Sequence, residues 1–211
     1  IKDGCAVISS SSSLSAPTVQ PVLRINAEWI ITPEGTIKSK MHVKKNAEFP
    51  MLPRFGVRMI LREDMRNVNY IGIGPYESYI DKHHASWHGV FTADITDMHE
   101  DYIMPQENGS HFDCSYVQVS SLGENDIKTD IATHSITVTS AVPFSMNASP
   151  YTAEELTNAA HNYELSESHK SILCIDYRQN GIGSNSCGPE LDEKYRFDED
   201  EWVFGFTMHV K

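Results

Sequence analysis

Apolar and polar residues alternate with a period of two through much of this chain. Leu23, Ile25, Ala27, Trp29 and Ile31 alternate with polar neighbours. After the turn Pro33-Glu34-Gly35-Thr36, so do Ile37, Ser39, Met41 and Val43. Side chains of a strand point to opposite faces in turn, so two such runs across a glycine-containing turn predict a β-hairpin. Phe55, Val57, Met59 and Leu61 predict a third strand, and residues 68–73 a fourth. Further strands are expected over 115–119, 127–131, 134–138 and 172–177. Trp202, Phe204, Phe206 and Met208 mark a closing strand to Val210. Residues 1–20 read as one strand and a flexible surface loop built on the run Ser9 to Ser13.

Two segments depart from this pattern. Thr152-Ala153-Glu154-Glu155 fits a capping box, and Leu156, Ala159 and Ala160 give an apolar face, so a helix of roughly three turns is expected to cover the sheet. From Gly74 to Asp113 no period holds, and so long a loop is usually functional or packed against another part of a larger protein. The acidic run Asp198 to Glu201 reads as a solvated turn. With no internal repeat or linker, the expectation is a single all-β domain of antiparallel sheets over residues 21–211. Residues 1–20 are its first strand and loop.

The chain has 29 acidic and 17 basic residues, a net charge of −12, and no Lys/Arg cluster. That balance argues against nucleic acid or an anionic membrane as partner. No apolar run approaches the length of a membrane span. The start at Ile1 reads as an excised or processed piece. Cys5, Cys114, Cys174 and Cys187 lack the paired spacing of a zinc site, and Cys174 is expected as a small buried hydrophobe. His83-His84 would diverge on a strand and make a poor chelate there.

No nucleophile elbow, phosphate loop, dinucleotide fingerprint or zinc-protease motif is present. The carboxylate pairs Glu154-Glu155, Asp192-Glu193 and Asp198 to Glu201 sit in hydrophilic runs, as surface charge does. Asn108-Gly-Ser and Asn147-Ala-Ser match glycosylation tripeptides but read better as turns. Tyr76, Tyr79, Trp87, Phe91 and Tyr102 suit either stacking on sugar rings or anchoring an interface. The stretch Gly181-Ile-Gly-Ser-Asn-Ser-Cys187-Gly-Pro-Glu190, after an apolar strand, can present small polar side chains at the rim of a sheet. Residue chemistry alone names no substrate.

Four blocks carry a resemblance. They are Leu52-Pro-Arg-Phe-Gly56; Asn69-Tyr-Ile-Gly-Ile-Gly-Pro-Tyr-Glu-Ser-Tyr-Ile-Asp81; Tyr102-Ile-Met-Pro-Gln-Glu-Asn-Gly109; and Asp176-Tyr-Arg-Gln-Asn-Gly-Ile-Gly-Ser-Asn-Ser-Cys-Gly-Pro189. In this order they resemble the C-terminal, small-chain domain of the large bacterial β-galactosidases of glycoside hydrolase family 2, over roughly residues 20–211. The resemblance implies an antiparallel β-supersandwich like the galactose-mutarotase fold. It also implies a non-catalytic role, with both catalytic glutamates of the retaining mechanism in a separate TIM-barrel domain. The implied partners are the other domains or large subunit of the enzyme and a β-galactoside shared with them. The parent would be a bacterial cytoplasmic or periplasmic enzyme using magnesium and sodium, with no cofactor held by this domain's side chains.

In the family the loop matching 181–189 reaches the active-site mouth and carries a stacking tryptophan in its best-known member. Here Cys187 takes that place, so either Asn185 and Ser186 bond sugar hydroxyls or Cys187 packs on the barrel. Arg54, Glu77, Tyr79, Asp81, Glu107 and Asn108 are implied as a motif that fixes the irregular segment or docks it on other domains, with a sugar site as the competing reading. Sodium would bind backbone carbonyls matching Met104, Pro105 and Leu156. Two other functions remain in view: a mutarotase-type epimerase, which needs a converging histidine acid and carboxylate base, and a carbohydrate-binding module, which needs a platform of exposed rings.

Overall fold

A computed structural model of the protein describes residues 4–122, 132–183 and 190–211. Its architecture is all-β and antiparallel with one short helix. In chain order the elements are β1 (Ala6–Leu14), β2 (Leu23–Ile31), β3 (Thr36–Lys45), β4 (Arg54–Arg62), β5 (Met65–Gly74), β6 (Trp87–Asp94), β7 (Ser110–Leu122), β8 (Ala132–Ser149), α1 (Ala153–Asn158), β9 (Lys170–Gln179) and β10 (Glu201–Val210).

The long strand β8 organises the sheet. Its first half pairs with β10, which leads to β3, β2 and β1. Its second half pairs with β9, which leads to β4. Along the other side β8 pairs with β7, and beyond β7 lie β5 and β6. The change of neighbour falls where Ser140 to Pro143 lack partners on β7, because Cys114 faces Phe144 while Tyr116 faces Thr139. A bulge of this kind bends a strand and increases its twist. The two branches thereby fold into facing layers. Phe55 of β4 meets Trp202 of β10 edge to face at 5.2 Å, and Tyr177 of β9 stacks on Trp202 at 6.0 Å. Such ring pairs add about 0.5–1.5 kcal/mol each beyond the burial of their area.

Alternation delivers the core as expected on most strands. On β3 the inward positions are Ser39, Met41, Val43 and Lys45. Lys45 breaks the apolar pattern, and its buried ammonium pairs with Asp200 at 3.2 Å and donates to the Phe49 carbonyl at 3.1 Å.

Five expectations need correction. The serine run is a strand, because Ser9 to Ser13 pair in unbroken register with β2. Serine suffices there since every residue of β1 is exposed in this chain. The segment 74–113 contains β6, whose alternation is hidden because Gly89 occupies the face shared by Trp87, Phe91 and Ala93. Strand β8 runs well past Val138, despite Pro143, by bulging there. Helix α1 has six residues rather than three turns, buries only Leu156, and ends where Ala159 turns extended at φ −78° and ψ 128°. Asn147 sits within β8, not a turn. The capping box itself is present, with Thr152 and Glu155 bonded reciprocally. The strand expected at 127–131 lies outside the described residues.

Candidate functional site

The four sequence blocks converge at one end of the sandwich. Arg54 opens β4, Asp176 lies near the end of β9, and Glu107 precedes β7. The Arg54 guanidinium lies between both carboxylates, with Nη2 2.5 Å from Asp176 Oδ2 and Nη1 2.9 Å from Glu107 Oε2. The Asp176 side chain is 3 % exposed, Arg54 30 % and Glu107 39 %. Burial pushes the Asp176 carboxyl up, and Arg54 with Gln179 pulls against it. Burial also lifts Glu107, with Asp176 and Glu77 adding and Arg54 opposing; its open side lets water moderate the effect. For Arg54 burial favours the neutral form, but the two carboxylates outweigh it and hold the guanidinium charged. Gln179 extends the network, donating to Asp176 at 3.2 Å and accepting from Ser110 Oγ at 3.0 Å.

Glu77 is the second anchor. One oxygen accepts from the Lys82 ammonium and the Tyr102 hydroxyl, and the other from the backbone N–H of Gly109 at 2.9 Å. Burial would lift this carboxyl, but those three donors outweigh it and hold it below the usual range. Asn108 ties the same loop to itself and to β8. Its amide donates to the Gln106 carbonyl at 2.8 Å, its oxygen accepts from the Glu100 N–H at 3.0 Å, and its carbonyl accepts from Asn147 at 2.5 Å. Both asparagines of the glycosylation-like tripeptides are thus buried structural groups. Gly109 follows with φ +68°, and a β-carbon there would lie 2.3 Å from the Met98 carbonyl oxygen. Gly109→Ala should therefore cost at least about 2 kcal/mol, summing left-handed strain and displacement of Met98. Chemical denaturation of the two proteins checks this, and an unchanged midpoint would count against it.

Asp81 closes the cluster. Its carboxylate accepts from the N–H groups of Ile182 at 3.1 Å and Gly183 at 2.9 Å, so it pins the stem of the loop that begins at Gly181. A β-carbon on Gly181 would sit 2.5 Å from Asp81 Cγ and 2.6 Å from a Leu191 methyl, so a larger residue would push these two side chains aside. The loop tip, with Asn185, Ser186 and Cys187, lies outside the described residues. Tyr79 is fully buried and its hydroxyl has no hydrogen-bond partner among the described residues. Burial, reinforced by Glu107 and Glu77, pushes its phenol well above the ordinary range.

The implied motif residues thus stand together in one connected cluster, with Asp81 reaching the glycine loop. Met104 is exposed and Pro105 and Leu156 are buried. Their segments are joined by Asn162, whose N–H donates to the Ile103 carbonyl at 3.0 Å and whose amide meets Asp101 at 2.9 Å. The rings of the irregular segment divide: Tyr76 and Trp87 are 61 % and 59 % exposed, Tyr79 is buried, and Tyr102 is bonded to Glu77. His83 and His84 lie in a loop, not a strand, and stack at 5.0 Å. Among the described residues no group of three or more His, Cys, Asp or Glu side chains is arranged to hold a metal ion. No helix of the described residues is long and apolar enough to cross a membrane. Cys174 is half-buried on a polar face, with its thiol pushed up to about 11 by burial, whereas Cys114 is the fully buried cysteine. Sequence reasoning missed Asp176 as the buried partner of Arg54 and His111 as a buried neutral histidine. Asp176 lies on the face of β9 opposite the core residues Leu173 and Ile175, and the local sequence shows only an acidic residue within an apolar strand, with nothing to name Arg54 as its partner.

Fold and site together define an antiparallel β-sandwich whose glycine loop is pinned at the rim by Asp81, beside carboxylates bonded to Arg54, Lys82 and Tyr102. This chain belongs to the family described as the β-galactosidase small chain, which matches residues 2–208. A β-galactosidase of Actinobacillus pleuropneumoniae is 42 % identical over 187 residues, covering 89 % of this chain and 17 % of the relative. One of Staphylococcus xylosus is 36 % identical over 190 residues, covering 90 % and 18 %. One of Pseudoalteromonas haloplanktis is 27 % identical over 191 residues, covering 89 % and 17 %. The chain therefore spans less than a fifth of the length of these relatives.

Proposed function

We propose that this chain is the non-catalytic C-terminal domain of a retaining family 2 β-galactosidase acting on terminal β-D-galactosides. Its role there is to complete the active-site mouth with the 181–189 loop, while both catalytic glutamates lie in a barrel domain outside this chain. The observation that carries the reading is the grip of Asp81 on Ile182 and Gly183. Two charge-assisted backbone bonds and the close packing of Gly181 on Asp81 and Leu191 hold the loop stem in one place, as a loop presented to a neighbouring site requires. The other clustered carboxylates are committed to structural partners: Asp176 and Glu107 to Arg54, Glu77 to Lys82, Tyr102 and Gly109. None of these stands as a poised acid facing a nucleophile across a cleft. On this reading Arg54, Tyr79 and Asn108 hold the 102–109 segment in shape, and Asn185, Ser186 and Cys187 meet substrate or barrel at the tip.

We assign sodium to the backbone carbonyls of Met104, Pro105 and Leu156. Among the described residues these oxygens accept no hydrogen bond, and sodium takes neutral oxygen ligands of this kind. We assign magnesium to the enzyme outside this chain.

The test is Asp81→Ala in a complete enzyme containing this chain, assayed on a chromogenic β-galactoside. Releasing the stem should lower kcat/KM about tenfold, the loss expected when a positioning element shifts, while the melting temperature barely moves. Unchanged kinetics would remove the loop from the site.

A further inference from the structure

The edges of the sheet differ in a way the fold itself does not require. Among the described residues β1, β4 and β6 each pair on one side only. Along β4 stand Arg54, Arg58 and Arg62, the latter two in ion pairs with Glu154 and Asp64. Strand β6 carries His88 and Asp94 and sets Gly89 among its rings. Charges and irregularities of this kind are how exposed edges avoid pairing with other strands. Strand β1 has none of them. It keeps nine residues in unbroken register with β2, and no charged residue lies between Gly4 and Leu23. About half of its residues turn both backbone groups toward the open side.

The core-side face of β1 is also unfinished. Ile8 stands opposite Trp29, Ser12 opposite Ile25 and Leu14 opposite Leu23, and directly paired residues share a face. The Trp29 ring meets Phe206 of the core at 6.1 Å, which fixes that face as the inner one. Ile8 and Leu14 nevertheless remain 50 % and 60 % exposed. An apolar face and an unpaired edge thus adjoin in one place.

We propose that the edge of β1 and the core-side face beside it receive an extended, uncharged strand from the remainder of the β-galactosidase, added antiparallel or parallel to the sheet. This rests on the reading of the chain as one domain of such an enzyme. Two observations select that occupant over a second copy of this chain. The relatives carry more than four-fifths of their length outside the matched stretch, so there is ample chain to supply a strand. A second copy would bring two bodies of net charge −12 together, which repulsion disfavours. A charge-free edge suits a neutral strand, whose main-chain bonds supply affinity and whose alternate side chains fill the inner face.

The experiment compares this chain alone with the chain mixed with the enzyme polypeptide that ends before Ile1. Galactosidase turnover and amide hydrogen exchange over residues 6–14 are both followed. The inference expects the β1 amides to exchange about 100-fold more slowly in the mixture, as new sheet pairing would impose. Ser12→Lys, on the core-side face, should leave the melting of the isolated chain unchanged but weaken association about tenfold or more, while Ser13→Lys on the opposite face should not. Recovered turnover with unchanged β1 exchange would overturn this docking surface and leave the domain reading intact. So would equal effects of the two lysine variants on association. Protection in the chain alone that rises with its concentration would make a second copy the occupant and overturn the inference. No turnover and no association on mixing would sink the domain reading and this inference with it.

Discussion

Arg54→Ala should destabilise the isolated chain by about 3–5 kcal/mol, the range found when one partner of a buried ion pair is removed. The asymmetry of the pair decides which partner matters more. Asp176 has 3 % of its side chain exposed, so without Arg54 its charge would be stranded or would have to take up a proton. Arg54 is 30 % exposed and has a second carboxylate in Glu107, so Asp176→Asn should cost distinctly less. Arg54→Lys should fall between the two, because an ammonium cannot bond both Asp176 oxygens and Glu107 with a planar fork. Urea unfolding of the three variants gives the ranking. An Asp176→Asn loss larger than that of Arg54→Ala would contradict it.

Acid should unfold the chain partly through His111. Burial pushes this imidazole down to about 4 from an ordinary 6.5, in a position where its Nδ1 lies 3.3 Å from the Ile73 carbonyl and its ring 4.5 Å from Tyr70. A lowered folded-state value means that the unfolded chain takes up a proton before the folded one can. The stabilisation is therefore fully present above pH 6.5 and is lost as pH falls towards 4. About 3 kcal/mol should disappear over that window at roughly 1.4 kcal/mol per pH unit. Glu77, held low by Lys82, Tyr102 and Gly109, adds in the same sense nearer its own lower range. Asp176 and Glu107, raised by burial, act in the opposite sense: the proton uptake of each favours the folded form as pH falls. Subtracting the curve of His111→Phe from that of the wild type isolates the histidine. The variant starts lower by about 1 kcal/mol for the lost hydrogen bond but should slope less between pH 6.5 and 4. Parallel curves would show that His111 does not carry the effect.

Much of the fold was legible because alternation is a direct consequence of a half-buried strand. Leu23 to Ile31, Phe55 to Leu61 and Trp202 to Met208 bury the side they advertise. The failures arise where the period is masked or where a local signal does not reach far enough. Strand β1 is exposed on both sides, so serine fills it and looks like a loop. On β6 a glycine stands in the row of rings and erases the period. Helix α1 has a genuine capping box, but a box fixes where a helix starts and says nothing of where it stops. At the site, the sequence blocks identified Arg54, Glu77, Asp81, Glu107 and Asn108, and the structure supplies what spacing cannot: which carboxylate meets which donor. The pairing of Arg54 with Asp176 spans 122 positions, and that of Asp81 with Gly183 spans 102. Long-range partners of this kind leave no local signature.

The proposed role of this domain is to lend its loop to a site whose chemistry lies elsewhere. Its most direct test is hydrolysis of a chromogenic β-galactoside by the purified chain alone and after mixing with the enzyme polypeptide that ends before Ile1. No turnover by the chain alone and recovered turnover on mixing are expected. Turnover by the rigorously purified chain alone would contradict this role, and would require a catalytic carboxylate pair within these 211 residues.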